Sequence, residues 1–416
     1  MPKFHYQCLT CHREYPPEQA TYLCPHCEKS NQPDQPPKGV LKTLYDYESL
    51  RRKADFQKWE REQFLPLLPI TSAGSLPNLR VGNTPLYERR RLGADTLPFH
   101  LYLKDDSQNP TYSFKDRASA LVSAYVREQG WNTIVAASTG NAGSSIAGIC
   151  AAQGQQAVVF VPASAPVAKL TQILMYGARI VPVDGTYDQA FDLSVEATKA
   201  FGWYNRNTAF NPLTVEGKKT VSFELFSQLD GKVPDQVFVS VGDGVILSGL
   251  YKGFEDLLKT GLIDTMPQVV GVQSTGSSNL ADNIGRETFS YTPSHTLADS
   301  IAVDIPRNFY MAAAFTRQYG GSFTTVSDEQ ILRASALLSR ATGLFAEPAA
   351  AAALAGMLQY QEMGKIREGA RIVVLLTGSG LKDLNSVKKH IRMPHPMPPD
   401  IGSVISFLKG ADFGHF

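Results

Sequence analysis

Lys115 stands in the stretch NPTYSFKDR (residues 109–117) and combines a nucleophilic amine with an unusual position. An alternating, strand-like run precedes this stretch, and apolar residues recur at helical spacing over residues 118–128, so Lys115 is predicted to start a helix. Because a helix N-terminus carries partial positive charge, it favours a neutral amine, which can form a Schiff base with a carbonyl compound. The alternative is a capping box formed by Ser113 and Asp116, with Lys115 solvated in the first turn.

Two cysteine pairs near the amino terminus, Cys8 with Cys11 and Cys24 with Cys27, have the spacing of metal knuckles. Four thiolates in this arrangement can close tetrahedrally around a structural zinc ion, although two disulfides would satisfy the same spacing. Basic residues of this region are mixed with glutamates, so there is no basic stripe that would bind nucleic acid. The proline-rich, polar stretch 31–38 then predicts a linker.

Three loops, at residues 138–143, 242–246 and 377–383, each follow an apolar, strand-like run and carry glycines or hydroxyls. The alternation of strand, loop and helix predicts a parallel sheet wrapped by helices, in which ligands bind at the carboxyl ends of strands. Backbone N–H groups in such loops can bind an anion, although each loop alone is also compatible with an ordinary turn. The Asp243 carboxylate would repel a phosphate, so its side chain is expected to turn away and make local hydrogen bonds.

The overall composition favours a small-molecule ligand. Lysine and arginine total 40 against 39 acidic residues, which argues against a dominant nucleic-acid or anionic-membrane surface. A chain of 416 residues, 43% of them hydrophobic, can form two domains and a small appendage. No apolar run reaches the length of a membrane helix, and residues 1–5 lack the apolar core of a secretory signal, so a cytoplasmic location is expected.

Taken together, these segments resemble the fold type II pyridoxal-phosphate enzymes, and within them the threonine synthase family. The resemblance covers nearly everything from Gly82 to Asp383, and several motifs in matching order are far more specific than any one of them. The motifs are residues 82–86 (GNTPL), 113–117 (SFKDR), 138–141 (STGN), 161–162 (VP) with 169–172 (KLTQ) and 176–178 (YGA), 216–220 (EGKKT), 347–348 (EP) and 377–383 (TGSGLKD).

The resemblance implies an α/β protein of fold type II architecture, with two doubly wound α/β domains and an N-terminal zinc-ribbon-like appendage. The expected organisation is a four-cysteine module at residues 1–30, a linker at 31–40, a large cofactor-binding domain at 41–105 and 209–392, a smaller mobile domain at 106–208, and a C-terminal tail at 393–416. The implied cofactors are pyridoxal 5'-phosphate and structural zinc. A homodimer is expected, with a small amino-acid substrate and neither nucleic acid nor a membrane as partner.

The family's site residues correspond to positions of this chain. Lys115 is similar to the lysine that forms a Schiff base with the cofactor and then moves protons. Asn141 is similar to the asparagine bonded to the ring hydroxyl oxygen, and Thr377 to the hydroxyl residue that faces the pyridine nitrogen. The phosphate-binding loop corresponds to Gly242, Asp243, Gly244, Val245 and Ile246. The candidate substrate-binding residues are Ser138, Thr139 and Gly140, which match the carboxylate loop, and Lys218.

One departure concerns the substrate phosphate. The implied reaction converts O-phospho-L-homoserine and water to L-threonine and phosphate, and the family holds the substrate phosphate with an arginine. Thr214 stands at that arginine position, and Thr208-Ala209 replace the usual Asn-Ser pair. Because an unpaired dianion is costly to desolvate, either Arg206, Lys218 or Lys169 replaces the clamp or the substrate lacks the phosphate. The alternative functions are a serine/threonine ammonia-lyase or β-replacement enzyme and a non-catalytic binding module.

Overall fold

The computed structural model describes residues 3–388, 391 and 395–410, and it arranges the strands of these residues in three sheets. The predicted tail 393–416 and the predicted domain end at residue 392 lie partly outside the described residues. No helix in the described ranges is both long enough and apolar enough to cross a membrane.

The N-terminal sheet is antiparallel and has the order β2-β1-β3. Its strands are β1 (Phe4–Cys8), β2 (Glu14–Tyr15) and β3 (Leu41–Tyr45). Because β3 pairs with β1 along its whole length, the N-terminal module continues past residue 30, the end expected from the sequence, and past the expected linker. Phe4 and Tyr6 are buried in one core with apolar residues of the small parallel sheet described below.

Residues 47–105 lead from this module into the larger sheet. They form the short helices α1 (Tyr47–Arg52) and α2 (Phe56–Arg61) and the strands β4 (Leu86–Leu92) and β5 (Asp95–Asp105). The two strands pair antiparallel as an edge hairpin, and β5 continues directly towards Lys115.

The small parallel sheet has the order β8-β7-β6-β9 and is covered by helices on both faces. In chain order its elements are α3 (Lys115–Glu128), β6 (Thr133–Ala137), α4 (Asn141–Gln153), β7 (Gln156–Pro162), α5 (Val167–Met175), β8 (Arg179–Val183), α6 (Tyr187–Phe201) and β9 (Tyr204–Asn205). Successive residues of a strand point to opposite faces. Ile134 and Ala136 of β6 therefore pack with α3, α4 and α5, whereas Val135 and Ala137 pack with α6.

The larger sheet has the order β12-β11-β10-β13-β5-β4 and is parallel except for β4. The remaining elements are α7 (Leu213–Lys218), α8 (Thr220–Gln228), β10 (Gln236–Ser240), α9 (Val245–Lys259), β11 (Gln268–Ser274), α10 (Asn279–Asn283), α11 (Phe309–Gln318), β12 (Ser322–Val326), α12 (Asp328–Thr342), α13 (Pro348–Glu362), β13 (Arg371–Leu376), α14 (Leu384–Lys388) and α15 (Ile401–Gly410). Val237 and Val239 pack with α8 and α9 on one face, and Phe238 packs with α12 and α13 on the other.

The predicted α/β class is confirmed, because two mainly parallel sheets carry helices on both faces. The strand predictions at residues 133–137 and 371–376 coincide with β6 and β13. The alanine-rich segment 349–355 lies in the buried helix α13, as the sequence pattern predicts.

Candidate active site

Lys115 lies where the segment before α3 meets the loop after β13. The backbone N–H of Phe114 donates to the Thr377 carbonyl at 2.9 Å, and the Ser379 N–H donates to the Tyr112 carbonyl at 3.0 Å. Ser113 and Gly378 form an isolated antiparallel bridge between the same two segments. These contacts place Lys115, the first residue of α3, beside the strand-end loop that carries Thr377.

The capping box proposed for this helix start is not formed. The N-cap residue is Phe114, and the Ser113 hydroxyl has no hydrogen-bond partner among the described residues. The Asp116 carboxylate instead accepts hydrogen bonds from the backbone N–H of Thr111 at 2.7 Å and from its hydroxyl at 2.5 Å. Asp116 thus stabilises the turn before the helix.

The environment of Lys115 favours its neutral amine. Burial lowers the pKa of Lys115, Glu347 opposes this effect, and Arg206 adds to it. The side chain remains partly accessible, so the amine can meet a ligand. A neutral, accessible amine is the form that attacks a carbonyl carbon.

A buried ion-pair network anchors the first turn of α3. Arg117 Nε lies 2.6 Å from Asp106 Oδ2, and Arg117 Nη1 lies 2.5 Å from Glu224 Oε1. Lys104, in β5, pairs with the other Glu224 oxygen at 2.7 Å. The network ties α3 to the larger sheet and to α8, and so holds Lys115 in place.

Asn141 and Glu347 connect the two sheets across the site. Asn141 is the first residue of α4, and its Nδ2 lies 3.0 Å from each carboxylate oxygen of Glu347. The Glu347 backbone N–H donates to the Gly378 carbonyl at 3.0 Å. Burial raises the pKa of Glu347, while Lys115 opposes the effect. Glu347 therefore belongs to the site, although the sequence pattern marks it mainly as the start of an alanine-rich helix. Its only sequence signal is the EP motif.

The loop after β10 ends at the N-terminus of α9, which offers donors that an anion could accept. Gly244 precedes α9 with a φ of +86°, and a Cβ there would lie 2.9 Å from atoms of Ala312 and Leu280, so glycine is needed. Val245 and Ile246 open α9, and their N–H groups are among those that a helix leaves without internal partners. Asp243 Oδ1 accepts the Arg307 N–H at 3.1 Å, as expected for a carboxylate turned to a protein donor.

The loop of Ser138, Thr139 and Gly140 joins β6 to the start of α4. All three residues are partly exposed, and the Gly140 N–H donates to the Ser138 hydroxyl at 3.2 Å. Because the loop ends at a helix N-terminus, it is a second place where a carboxylate or phosphate can be bound.

The three basic residues considered as a phosphate clamp differ in position. Lys169 forms an exposed surface pair with Asp299 at 2.8 Å. Arg206 and Lys218 are completely buried. Arg206 lowers the pKa of both Lys115 and Lys218, and Lys115 also lowers the pKa of Lys218. Thr214 is also buried, and its hydroxyl donates to the Asn211 carbonyl at 2.8 Å.

The four N-terminal cysteines cluster as a metal site requires. Their sulfurs all lie within 4.8 Å of one another, with Cys8 and Cys27 at 3.8 Å and Cys11 and Cys24 at 3.7 Å. Sulfurs about 2.3 Å from a tetrahedral zinc ion are about 3.8 Å apart. All four are free thiols, so the disulfide alternative is not formed.

A separate cavity of about 560 Å³ is lined by residues that include Arg117, Leu121 and Glu224, but not Lys115, Asn141 or Thr377. Its charged Arg117 and Glu224 are already paired with each other. We place the candidate active site at Lys115 because its partly accessible amine, whose pKa burial lowers, lies beside the loop of Thr377 and within electrostatic range of Asp243 in the loop after β10.

Comparison with known proteins adds independent findings. A family model described as pyridoxal-phosphate dependent enzyme matches residues 78–378. A threonine synthase from Methanocaldococcus jannaschii is 32% identical over 412 residues, covering 97% of this chain and 99% of the relative. A threonine synthase from Methanosarcina acetivorans is 34% identical over 416 residues, covering 98% and 99%. A solved threonine deaminase from T.th. has a TM-score of 0.62 at 25% identity, covering 76% of this chain and 94% of that chain.

Proposed function

The chain belongs to the pyridoxal-phosphate-dependent enzyme family and, within it, to the threonine synthases, and we propose that it converts O-phospho-L-homoserine and water to L-threonine and phosphate. In this reaction phosphate leaves the γ-carbon and water adds at the β-carbon. The observation that carries the proposal is the accessible Lys115 amine with a lowered pKa, held between the strand-end loops of two sheets.

The residues of the site fit pyridoxal phosphate. Lys115 would hold the cofactor through its amine, and the side chain of Asn141 would reach the ring hydroxyl oxygen. Gly242, Asp243, Gly244, Val245 and Ile246 would surround the cofactor phosphate at the start of α9, with N–H groups as the donors. When bound, the cofactor supplies an electron sink for carbanions at the substrate α-carbon.

The chain's own residues would then determine which reaction occurs. The Thr377 hydroxyl would face the ring nitrogen, and a hydroxyl, unlike a carboxylate, cannot hold that nitrogen protonated. Elimination and replacement are thereby favoured over transamination. Lys115 would take a proton from the substrate and return it, since a lowered pKa suits a group that does both near neutral pH. The loop of Ser138, Thr139 and Gly140 would orient the substrate carboxylate.

The proposal is tested by incubating the purified protein, supplied with pyridoxal phosphate, with O-phosphohomoserine, threonine or serine. Phosphate and threonine should appear in equal amounts from O-phosphohomoserine, and little 2-oxoacid should form from the other two. A Lys115→Arg variant is the matched control, because arginine keeps a long basic side chain but cannot form the Schiff base with the cofactor, so the variant should be inactive. If 2-oxoacid forms from serine or threonine and no phosphate is released from O-phosphohomoserine, the ammonia-lyase candidate is favoured instead.

The ammonia-lyase or β-replacement candidate is supported by one observation. Thr214 stands where the family has its phosphate-binding arginine, and a substrate without phosphate would need no such residue. The fold similarity to the threonine deaminase is compatible with this candidate. The near full-length similarity to threonine synthases supports the first proposal more strongly.

We also propose that Cys8, Cys11, Cys24 and Cys27 bind one structural zinc ion, which the sulfur geometry supports. A homodimeric state and a cytoplasmic location stay predictions from the sequence. Metal analysis of the purified protein, with and without the four cysteines, checks the zinc assignment.

A further inference from the structure

Arg206 and Lys218 are two buried basic side chains that form no ion pair with any described residue, although Asp116 acts on Arg206, and Asp243 on Lys218, from a longer distance. Neither is exposed to solvent, and within the described part of the chain neither forms a salt bridge. Arg206 Nη2 and Lys218 Nζ also have no hydrogen-bond partner there. Leaving such donors unpaired costs free energy, so a ligand that accepts their hydrogen bonds would relieve the cost.

Two nitrogens of the Arg206 guanidinium are hydrogen-bonded to the protein, and the third has no partner among the described residues. Its Nε donates to the Ser119 hydroxyl at 3.2 Å, and its Nη1 donates to the Thr208 hydroxyl at 2.8 Å. The residue directly follows β9, so it lies at the carboxyl end of a parallel strand, where ligands bind in such sheets. Thr208, which replaces the family's asparagine, therefore orients the guanidinium.

Lys218 is the last residue of α7 and is packed against α9, where a Cβ on Gly249 would lie 2.6 Å from the Lys218 Cβ. The charged groups that act on it are Arg206, Lys115 and Asp243. Arg206 and Lys115 disfavour the ammonium form of Lys218 and Asp243 favours it, so Lys218 lies within electrostatic range of Lys115. An anion that approaches Lys115 would therefore also approach Lys218.

We propose that Arg206 and Lys218 together bind the phosphate group of the substrate, in place of the arginine that the family has at position 214. This inference rests on the proposed threonine synthase activity. Thr214 itself is buried and bonded to the Asn211 carbonyl, so it is not available as a replacement. The departures at positions 208 and 214 then belong to one rearranged anion site, in which Arg206 and Lys218 supply the charge.

Both the cofactor and the substrate carry a phosphate group that this site could bind. The positions of the other donors favour the substrate phosphate. The cofactor phosphate has the N–H groups at the start of α9, and the substrate carboxylate has the loop before α4. The substrate phosphate is the third anion, and it needs charged donors when it is taken out of water. In the described part of the chain, Arg206 Nη2 and Lys218 Nζ are buried donors without a hydrogen-bond partner, and both residues are within electrostatic range of Lys115.

The test compares the parent with Arg206→Gln and Lys218→Gln, using the holoenzyme except where pyridoxal phosphate itself is titrated into the apoenzyme. Calorimetry gives the Kd of inorganic phosphate, kinetics give KM and kcat for O-phosphohomoserine, and a spectroscopic titration gives the Kd of pyridoxal phosphate. Each variant should weaken phosphate binding and raise KM roughly ten- to a hundred-fold, because each loses a charge-assisted hydrogen bond. The Kd of pyridoxal phosphate should change less than about threefold. Lys169→Gln, which removes a surface lysine, is the matched control and should behave like the parent.

A second readout separates a ligand-binding lysine from a structural one. At a pH above the Lys218 pKa of the phosphate-free holoenzyme, the binding of dianionic phosphate should draw a proton onto Lys218. The parent should therefore take up protons on phosphate binding, measured in buffers of different ionisation enthalpy, and Lys218→Gln should not. If the buried variants fail to fold, Thr208→Val removes only the hydroxyl that orients Arg206 and should still weaken phosphate binding several-fold, whereas Thr208→Ser should not.

The outcomes are distinguishable from failure of the proposed function. A variant that loses pyridoxal phosphate affinity but keeps phosphate affinity would assign these residues to the cofactor phosphate and overturn the inference. Efficient turnover and unchanged phosphate binding in both glutamine variants would overturn it as well. If the parent fails to release phosphate from O-phosphohomoserine yet binds inorganic phosphate through Arg206 and Lys218, the anion site is supported while the proposed reaction is refuted.

Discussion

Lys218 and Lys219 are neighbours in the chain, both completely buried, and their surroundings are opposite. Lys219 Nζ pairs with Glu216 and, at 2.7 Å, with Asp256, and it lies 3.2 Å from the Tyr45 hydroxyl. Lys218 Nζ has no partner in the described part of the chain. The difference indicates two uses of a buried amine: Lys219 holds elements together, whereas Lys218 is available to a ligand.

The paired cluster around Lys219 joins the N-terminal module to the catalytic body. Tyr45 belongs to β3, Glu216 to α7, and Asp256 to α9. Asp256 also pairs with Lys252, one turn earlier on α9. Because each member accepts or donates to at least one other, removing one member leaves a buried charge without its partner. Lys218 and Arg206 form no ion pair with any described residue, so their removal leaves no carboxylate stranded.

Asp256→Asn should give the largest effect on stability. It leaves Lys219 and Lys252 with one carboxylate fewer, and breaking a buried pair typically costs about 3–5 kcal/mol. Denaturant unfolding of the holoenzyme measures this loss. Glu329→Gln, at an exposed pair with Arg333, is the control and should have no measurable effect. A loss below about 1 kcal/mol for Asp256→Asn would contradict the structural role of the cluster.

Replacing each lysine with methionine compares the two neighbours directly. Lys219→Met should destabilise the protein, because Glu216 and Asp256 each lose one of the two lysines that pair with them and keep only Lys252. Lys218→Met should leave the phosphate-free protein as stable as the parent, or more stable by up to about 3 kcal/mol, because it removes an unsatisfied donor. Added phosphate should raise the melting temperature of the parent but not of Lys218→Met. Equal destabilisation by both substitutions would remove the distinction.

The pH dependence of stability should reflect Lys218. Burial lowers its pKa well below the ordinary 10.5, Arg206 and Lys115 act in the same direction, and Asp243 opposes them. Between the lowered folded pKa and 10.5 the unfolded chain binds more protons, so the free energy of unfolding from this group rises with pH. In phosphate-free buffer, Lys218→Met should reduce the slope of the free energy of unfolding against pH by up to about 1.4 kcal/mol per pH unit in this range. An unchanged slope would show that the ammonium is not disfavoured in the folded state.

The smallest predicted effect concerns the N-terminal module. The Asn205 N–H donates to the Tyr22 hydroxyl at 2.8 Å, and the Tyr22 ring stacks on Phe210 with centroids 4.6 Å apart. Tyr22 thus contacts the segment that carries Arg206. Tyr22 also stands only two residues before Cys24, a proposed zinc ligand. Tyr22→Phe or removal of zinc by a chelator should weaken phosphate binding by a few-fold and leave the Kd of pyridoxal phosphate unchanged. Tyr291→Phe, on the surface, is the control.

Local patterns were sufficient to predict many of the elements. The runs at residues 133–137 and 371–376 are strands because they are apolar throughout, as expected for parallel strands buried on both faces. Lys115 starts a helix because apolar periodicity begins directly after it. The prediction of a capping box was wrong, because Ser113 pairs with the loop after β13 and the Asp116 carboxylate accepts the Thr111 N–H instead.

Long-range contacts could not be predicted in the same way. Asn141 and Glu347 are 206 residues apart in the chain, and no local pattern indicates that they share hydrogen bonds. The sequence offers Arg206, Lys218 and Lys169 as equal candidates for the phosphate site, because periodicity does not show which of these basic residues pairs with a carboxylate. The fold distinguishes the surface pair of Lys169 with Asp299 from two buried side chains that have no ion pair with any described residue.

Lys115 and Lys218 are both lysines of the site whose pKa is lowered by burial, so both could in principle react with a carbonyl compound. The most direct test of the account is reduction of the pyridoxal-phosphate-loaded protein with borohydride, followed by peptide mass mapping. The account predicts one stable adduct, on Lys115, with Lys218 unmodified and Lys115→Arg unlabelled. An adduct on Lys218 or another lysine, or none in protein supplied with the cofactor, would contradict it.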